Sequence, residues 1–403
     1  MSICATNTIN PIRRIVDTLN IPDTSNNDKK LIPLSIGDPT TFGNLKPLQV
    51  LLDRIATLVL DQRVHGYQNS TGIPSAKLAI AKQQSARVNR TVTAEDVIIT
   101  SGCSGALEIA IRAMASAGEN ILVPAPGFSI YQTIALSNGI EVKFYPLLPE
   151  RQWEVDIEAM NALVDSKTRA IIVNNPSNPC GSVYSAEHLK KIADAAFDHK
   201  LPIIADEIYG NLVFSGHEFH SLAKITSRVP IVHVGGIAKE FLVPGFRVGW
   251  IVSHDVPEGA LVEVRKGMVN LSQVIIGATS LVQAALPCIL TPESETDRIA
   301  VETFHSETRS TLEKNGLFLV RRLMTIPGIA VTQPQGAMYI LIGTGSMNDK
   351  DFSQRLLDEE LVFVLPGSCF GIENYVRLVF CAPQTILEDA CNRIESFCRR
   401  HFK

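Results

Sequence analysis

The sequence predicts an α/β fold with a mostly parallel central sheet, and three observations support this. Short apolar runs rich in Val and Ile alternate with longer helical stretches, as expected of strands buried on both faces. The 403 residues are 45% hydrophobic, which is enough for one large core and a smaller one. One of the apolar runs is followed directly by Asp206, at the sheet edge where such folds bind their ligands.

The predicted elements follow in order along the chain. The strands of the large sheet are residues 97–100, 120–123, 170–174, 203–205, 231–234 and 248–252. Apolar residues with helical spacing then predict a long amphipathic helix over residues 304–324. Three later runs, residues 338–341, 362–365 and 375–380, predict a smaller sheet in a second domain.

Composition excludes several classes of protein. The net charge of −4 and the lack of a basic cluster argue against nucleic acid as a partner, and no apolar run is long enough to span a membrane. The first ten residues lack the apolar stretch of a secretory signal. Eight scattered cysteines without a CxxC pair, and nine histidines without a cluster, predict no metal site and a cytoplasmic location.

The first chemical motif is a lysine among small residues. Gly235, Gly236 and Ala238 leave room beside Lys239, and Arg247 follows eight positions later. This pattern suits a Schiff-base amine beside a phosphate held by a planar guanidinium, and so a pyridoxal phosphate site. On its own the pattern is more often an ordinary surface loop. It gains weight only because other segments agree with it.

Two further segments supply partners for such a cofactor. Asp206 is predicted at the end of a strand, where its carboxylate can hold a pyridine nitrogen protonated, and Tyr209 can reach the ring hydroxyl. An N-cap Asp followed by a core Tyr is equally plausible for this pair in the absence of a cofactor. Residues 174–181 form a loop rich in Asn and Pro, in which Asn178 is the predicted donor to the ring oxygen.

The phosphate and the ring face each have a candidate segment. A strand, a turn of small residues and a helix follow one another at residues 97–108, which places Gly102, Cys103 and Ser104 at a helix N-terminus that favours an anion. Phe128 offers an aromatic face for the ring, although a plain core position is a serious alternative for it.

Taken together, these segments resemble the class I aminotransferases of fold type I, and within them the tyrosine aminotransferase branch. The matching segments are residues 10–13, 34–39, 66–67, 100–104, 174–181, 206–209, 236–250 and 336–339. The resemblance implies a large domain with a mostly parallel sheet between helices and a smaller α/β domain. The expected units are residues 1–45 (an arm and part of the small domain), 46–302 (the large cofactor domain) and 303–403 (the small domain).

The resemblance also implies a role for each site residue. Lys239 is expected to bond pyridoxal 5'-phosphate and to move a proton between the substrate and the cofactor, while Asp206, Asn178, Tyr209 and Phe128 hold the ring. The phosphate is expected to lie on Arg247, on residues 102–104 and on Tyr67, which acts across a homodimer. Arg377 and the backbone of Gly37, with Asn178, are expected to bind the substrate carboxylate.

Two departures from the family pattern limit what the resemblance implies, the first for the phosphate and the second for the substrate. Gly236 stands where many relatives have a hydroxyl residue that helps the phosphate, and residues 267–297 contain no Lys or Arg for a second carboxylate. The expected reaction is a ping-pong transfer of the amino group of an aromatic or large apolar L-amino acid, such as tyrosine, to a 2-oxo acid such as 2-oxoglutarate or pyruvate.

Other functions remain open at this point. A pyridoxal phosphate lyase that cleaves a C–S bond in cysteine conjugates would use the same cofactor residues, and is the main alternative. A regulator that has kept the fold without catalysis is disfavoured by the presence of Lys239, Asp206 and Arg377. A nicotinamide enzyme is disfavoured because the chain lacks a glycine fingerprint followed by an acidic residue.

Overall fold

A computed structural model describes residues 1–17 and 29–402. The expected N-terminal unit, residues 1–45, lies partly outside these described residues. The helices are α1 (Ile3–Asn7), α2 (Pro11–Val16), α3 (Gln49–Leu60), α4 (Pro74–Val88), α5 (Gly102–Met114), α6 (Ile130–Ser137), α7 (Ile157–Ala162), α8 (Ala186–Asp198), α9 (Leu222–Ile225), α10 (Ile237–Glu240), α11 (Val262–Ser272), α12 (Ser280–Leu290), α13 (Glu295–Leu323), α14 (Asp349–Glu360) and α15 (Gln384–His401).

The strands are mostly short and fall into three sheets. They are β1 (Ile32–Pro33), β2 (Val97–Ser101), β3 (Asn120–Ala125), β4 (Glu141–Leu148), β5 (Glu154–Val155), β6 (Thr168–Asn174), β7 (Ile203–Asp206), β8 (Ile231–Gly236), β9 (Val248–His254), β10 (Tyr339–Gly343), β11 (Val362–Phe363), β12 (Leu365–Pro366) and β13 (Tyr375–Val379).

The large sheet has eight strands in the order β2-β9-β8-β7-β6-β3-β4-β5. Strands β4, β3, β6, β7 and β8 run parallel, whereas β9 is antiparallel to both of its neighbours. The predicted α/β fold with a mostly parallel sheet is therefore confirmed. In register, Asn174 at the end of β6 pairs with Asp206 at the end of β7, so polar side chains collect at the carboxyl edge.

Both faces of this sheet are buried, as its apolar runs predicted. On β7, Ile203 and Ala205 pack into one hydrophobic cluster, whereas Ile204 packs into the cluster on the other face. The alternation follows from the two-residue period of a strand. Helices on each side therefore fix the strands, and the strand ends hold their side chains in defined positions.

The smaller sheet has the order β10-β13-β12 and has its own core. Strand β1 pairs in parallel with β11, and the Val379 amide donates to the Leu34 carbonyl at 3.0 Å. Residues 32–34 thus pack with the small sheet, whereas α1 packs on α6 beside the large sheet. No helix of the described residues is both long and apolar enough to cross a membrane.

Two predicted elements differ from the structure. The long helix begins at Glu295 rather than near residue 304, because Ser294 caps it by accepting from the Asp297 amide and its first turns are too polar to show a helical apolar period. The predicted strand 362–365 is divided between β11, which pairs with β1, and β12, which pairs with β13. The strand propensity of residues 362–365 does not indicate which strand each half pairs with.

Candidate active site

A cavity of about 650 Å³ opens at the carboxyl edge of the large sheet and reaches the small sheet. Ten of the twelve predicted site residues line it: Gly37, Cys103, Ser104, Phe128, Asn178, Asp206, Tyr209, Lys239, Arg247 and Arg377. They come from elements spread over most of the chain. Gly102 lies behind this wall, and Tyr67 lies elsewhere.

Lys239 projects into the cavity from the short helix α10. Its Nζ donates a hydrogen bond to the Gly37 carbonyl, which belongs to the N-terminal part of the chain. Gly236, the residue before the helix, is extended, and a Cβ on it would lie 2.7 Å from the Val248 carbonyl oxygen. Close packing against β9 therefore leaves no room for a side chain at this position.

Asp206 is buried at the end of β7 and receives only neutral donors among the described residues. Tyr131 donates from its hydroxyl at 2.7 Å, the Ile208 amide lies at 3.3 Å, and the Cys103 thiol lies at 3.8 Å. Burial raises the pKa of Asp206, and the Tyr131 hydrogen bond opposes that rise. A cation placed against this carboxylate would remove much of the cost of its burial.

The two side chains that reach Asp206 both keep their protons. Burial and the nearby Asp206 carboxylate raise the pKa of the Cys103 thiol and of the Tyr131 hydroxyl well above their ordinary values. Both groups therefore act as donors at neutral pH. The arrangement favours an ionised Asp206 once a cation is present.

The start of α5 and Arg247 lie side by side in a geometry that suits an anion. No side chain caps α5, and Ser104 and Cys103 line the cavity in its first turn. Gly102 has φ +71°, and a Cβ on it would lie 2.5 Å from Nη2 of Arg247, so only glycine admits the guanidinium here. Nη1 of Arg247 donates to the Pro244 carbonyl at 3.0 Å, which fixes the plane of the group.

Arg377 lies on β13 and faces the same cavity from the small sheet. It is 3% exposed; Nη1 donates to Asn178 Oδ1 at 2.9 Å and Nη2 donates to the Ser35 carbonyl at 2.5 Å. Its guanidinium also packs over the rings of Tyr339 and Phe370. Burial lowers the pKa of Arg377, but an arginine stays protonated at any physiological pH.

Asn178 and Tyr209 are held by neighbours of their own. The backbone N–H of Asn178 donates to Asn174 Oδ1 at 2.8 Å, and Nδ2 of Asn174 donates to the backbone carbonyl of Asp206 at 3.0 Å. The Tyr209 hydroxyl lies 2.7 Å from the Tyr339 hydroxyl. The loop 174–178, the end of β7 and the small sheet are therefore joined by one chain of hydrogen bonds.

The N-terminal arm covers one side of the cavity. Asn10, Ile12, Arg13 and Val16 line it from the region of α2, and the Asn10 side chain caps that helix. Arg13 has a 66% exposed side chain whose closest acidic partner in the described chain is Asp17, at 3.9 Å. This places one further cation on the cavity wall.

Tyr67 and Phe128, two aromatic residues predicted to contact the cofactor, differ in their position. Tyr67 is 96% exposed and borders a separate cavity of about 350 Å³ with Ile276 and Gly277, so it reaches this site only if another subunit brings it. Phe128 does line the site, and its ring packs edge-on against Tyr131 at 5.9 Å between centroids.

Sequence reasoning missed four side chains at this site. Arg13, Asn174 and Tyr339 lie within segments that carried the family resemblance, and Tyr131 lies three positions after Phe128, but none of the four received a role. Tyr131 was detectable in principle, because it is an aromatic residue only three positions after Phe128, and the two rings are in contact. Tyr339 was not, since its partner Tyr209 is 130 residues distant.

Comparisons with known proteins agree with this geometry. The family model described as aminotransferase class I and II matches residues 29–394. Tyrosine aminotransferase of Bos taurus is 43% identical over 401 residues, covering 98% of this chain and 88% of that protein. The crystal structure of tyrosine aminotransferase from Leishmania infantum superposes with a TM-score of 0.93 at 34% identity, covering 100% of this chain and 98% of that one.

A lyase is also among the relatives. S-alkyl-thiohydroximate lyase of Arabidopsis thaliana is 34% identical over 386 residues, covering 93% of this chain and 84% of that protein. The family match covers most of the chain, and the fold extends over all of it. The chain belongs to the class I and II aminotransferases.

Proposed function

We propose that this aminotransferase uses pyridoxal 5'-phosphate to transfer the amino group of an aromatic L-amino acid, tyrosine first, to a 2-oxo acid. The observation that carries the proposal is the placement of Lys239, Asp206 and Arg377 on three walls of one cavity, in a chain that is 43% identical to a tyrosine aminotransferase. The family and fold are those of pyridoxal phosphate enzymes.

The cavity fits that cofactor chemically. A buried carboxylate that has only neutral donors matches a pyridinium, and a helix N-terminus beside Arg247 matches a phosphate. In this proposal Asn178 and Tyr209 donate to the ring oxygen, and Phe128 faces the ring. When bound, the cofactor supplies the electron sink for the substrate Cα carbanion.

The protein's own part is to orient the substrate and to move one proton. Arg377 would hold the α-carboxylate through its guanidinium plane, with the Gly37 backbone beside it. Lys239 Nζ would take the proton from the substrate Cα and return it at C4′ of the cofactor. Two half-reactions of this kind, with an amino acid and then an oxo acid, give a ping-pong cycle.

The choice of an aromatic amino acid as the amino donor is supported by the side chains that line the cavity and by the tyrosine aminotransferases to which the chain is similar. Ile12, Val16, Ile36, Leu107 and Ile130 provide apolar surface around the polar groups. Such a surface favours a ring over a charged side chain, although apolar contact discriminates weakly between similar side chains.

The acceptor requires a different contact on the same wall. A dicarboxylic oxo acid such as 2-oxoglutarate has a second carboxylate, and Arg13 is the cation of the cavity wall to which no other part of the proposed chemistry gives a role. We therefore assign Arg13 to that carboxylate. This replaces the second arginine that the sequence lacks at residues 267–297.

A homodimer completes the phosphate site in this proposal. Leu60, Tyr67, Val274 and Ile275 are between 71% and 96% exposed, an apolar surface that a second copy would bury. Tyr67 of one copy would then reach the phosphate of the other.

All eight cysteines are free thiols, which supports a reducing compartment such as the cytoplasm.

The test is to load the purified protein with pyridoxal phosphate and assay tyrosine with 2-oxoglutarate. We expect 4-hydroxyphenylpyruvate and glutamate in equal amounts, and no product from folded Lys239→Ala. The lyase is the second candidate because a relative has that activity. Pyruvate and ammonia from a cysteine conjugate, with no oxo acid from tyrosine, would favour the lyase instead.

A further inference from the structure

A buried polar cluster lies on the side of α10 away from the cavity. Its centre is Glu240, the residue after Lys239, whose side chain is 6% exposed. The carboxylate accepts from Asn211 Nδ2, from Gln83 Nε2 at 3.1 Å and from Arg87 Nη2 at 3.3 Å. His305 Nε2 of α13 lies 4.0 Å away. The cluster thus joins α4, α10, α13 and the turn after β7.

The helix that carries Lys239 is too short to hold its own position. It has four residues, and its end is closed by the Phe241 amide, which donates to the Ile237 carbonyl at 3.0 Å. A single helical turn is unstable without outside contacts. The next residue, Phe241, stacks on Phe304 at 6.1 Å, so the end of the turn is held by polar contacts on Glu240 and by an aromatic contact on Phe241.

Asn211 links this turn directly to another wall of the cavity. It is two residues after Tyr209, in a turn in which the Leu212 amide donates to the Tyr209 carbonyl at 2.8 Å. Its Nδ2 donates to Glu240, and its Oδ1 accepts from Arg87 Nη2 at 2.8 Å. The three side chains form a closed triangle that fixes the Lys239 turn against the Tyr209 turn.

We propose that Glu240 is a positioning residue for Lys239, acting through Asn211 to hold the lysine and Tyr209 at a constant spacing. The inference rests on the proposed function, because it assigns Lys239 the bond to the cofactor. Its physical basis is that covalent chemistry requires near-attack geometry, and a displacement of about 1 Å costs on the order of 100-fold in rate. A merely structural ion pair would affect stability and leave the chemistry per folded molecule unchanged.

The test compares Glu240→Ala, Glu240→Gln and Asn211→Ala with the wild type, and with Glu258→Gln as an exposed control. Three quantities are measured on the full-length protein. They are the unfolding midpoint without cofactor, the rate at which pyridoxal phosphate becomes fixed to Lys239 by borohydride reduction as read by mass spectrometry, and kcat and KM for tyrosine.

We expect Glu240→Ala and Asn211→Ala to slow cofactor attachment and kcat by about 10-fold to 100-fold, with KM changed less than about threefold. Glu240→Gln retains an acceptor oxygen for Asn211 and should stay within about threefold of the wild type. Because both residues act through one contact, the double alanine variant should be no slower than either single variant.

Three results would overturn the inference. The first is attachment and turnover at wild-type rates in the alanine variants, with only the unfolding midpoint lowered. The second is a Gln variant as slow as the Ala variant, since the charge facing Arg87 would then matter rather than the link to Asn211. The third is additive losses in the double variant. If the wild type itself fixes no cofactor, the proposed function fails instead.

Discussion

Nη1 of Arg377 lies 2.9 Å from Oδ1 of Asn178, although the two residues are 199 positions apart. The bond joins the small sheet to the loop at the end of β6, where the ring oxygen of a cofactor would lie. If Arg377 binds the substrate carboxylate and Asn178 the cofactor ring, as proposed, this one buried hydrogen bond would fix the position of each relative to the other.

Arg377→Lys should weaken binding of amino acids and of oxo acids alike. A lysine is a point donor and does not reproduce the planar contacts to Asn178 and Ser35 together with the carboxylate. Loss of one charge-assisted hydrogen bond corresponds to about 1.5–3 kcal/mol, so KM should rise roughly 10-fold to 100-fold for both substrate classes. Steady-state kinetics with tyrosine and 2-oxoglutarate measures this. An unchanged KM would remove Arg377 from the carboxylate site.

Tyr131→Phe should reduce the affinity for pyridoxal phosphate while leaving the fold intact. The substitution removes the hydroxyl that donates to Asp206 at 2.7 Å and keeps the ring that packs against Phe128. A lost hydrogen bond to a charged group costs about 1.5–3 kcal/mol, or roughly 10-fold to 100-fold in the dissociation constant. Titration of the cofactor-free protein measures it. Equal affinity in the two proteins would mean that the Tyr131 bond does not support the carboxylate.

Asp206→Asn should stabilise the cofactor-free protein at neutral pH while abolishing cofactor function. Burial raises the folded-state pKa of Asp206 above its ordinary value of 3.8, so the native state binds more protons than the unfolded state in that interval. The free energy of unfolding therefore falls as pH rises through it. The asparagine does not titrate and should lack this decline. Unfolding of both cofactor-free proteins from pH 4 to pH 8 checks the sign, and parallel curves would contradict it.

His254 should make the protein sensitive to acid. Burial, aided by His233 and Arg90, lowers the pKa of His254 from 6.5 to about 3. The unfolded state then binds the extra proton first, so stability is lost as pH falls from 6.5 towards 3. By pH 4.5 the loss is on the order of 2–3 kcal/mol. His254→Gln should show a smaller decline in urea unfolding between pH 7 and pH 4.5, and an equal decline would refute this.

Arg13→Met should separate the two half-reactions. The methionine keeps an apolar stem on the wall but removes the cation proposed for the second carboxylate of 2-oxoglutarate. Because Arg13 is mostly exposed, the effect is screened and a rise of about 5-fold to 10-fold in KM for 2-oxoglutarate is expected, with KM for tyrosine nearly unchanged. Pyruvate is the matched control, since it has no second carboxylate. A parallel change for pyruvate would argue against the assignment.

Much of the fold was predictable because it follows from local patterns. The buried runs of the large sheet and the position of Asp206 at the end of β7 follow from the two-residue period of a strand and from strand length. The start of α13 was misplaced because a capping serine, rather than apolar period, begins it. The strand 362–365 was misread because two different partners share it.

The residue types of the site were also readable from sequence, because each kind of chemistry needs a particular group: an amine, a carboxylate, a guanidinium, a turn of small residues. Their partners were not. Tyr131 on Asp206, Tyr339 on Tyr209 and Asn211 on Glu240 are contacts between segments far apart in the chain. Sequence spacing carries information only over a few residues along a helix or strand, whereas these contacts depend on how whole elements pack, and that is set by the three-dimensional fold.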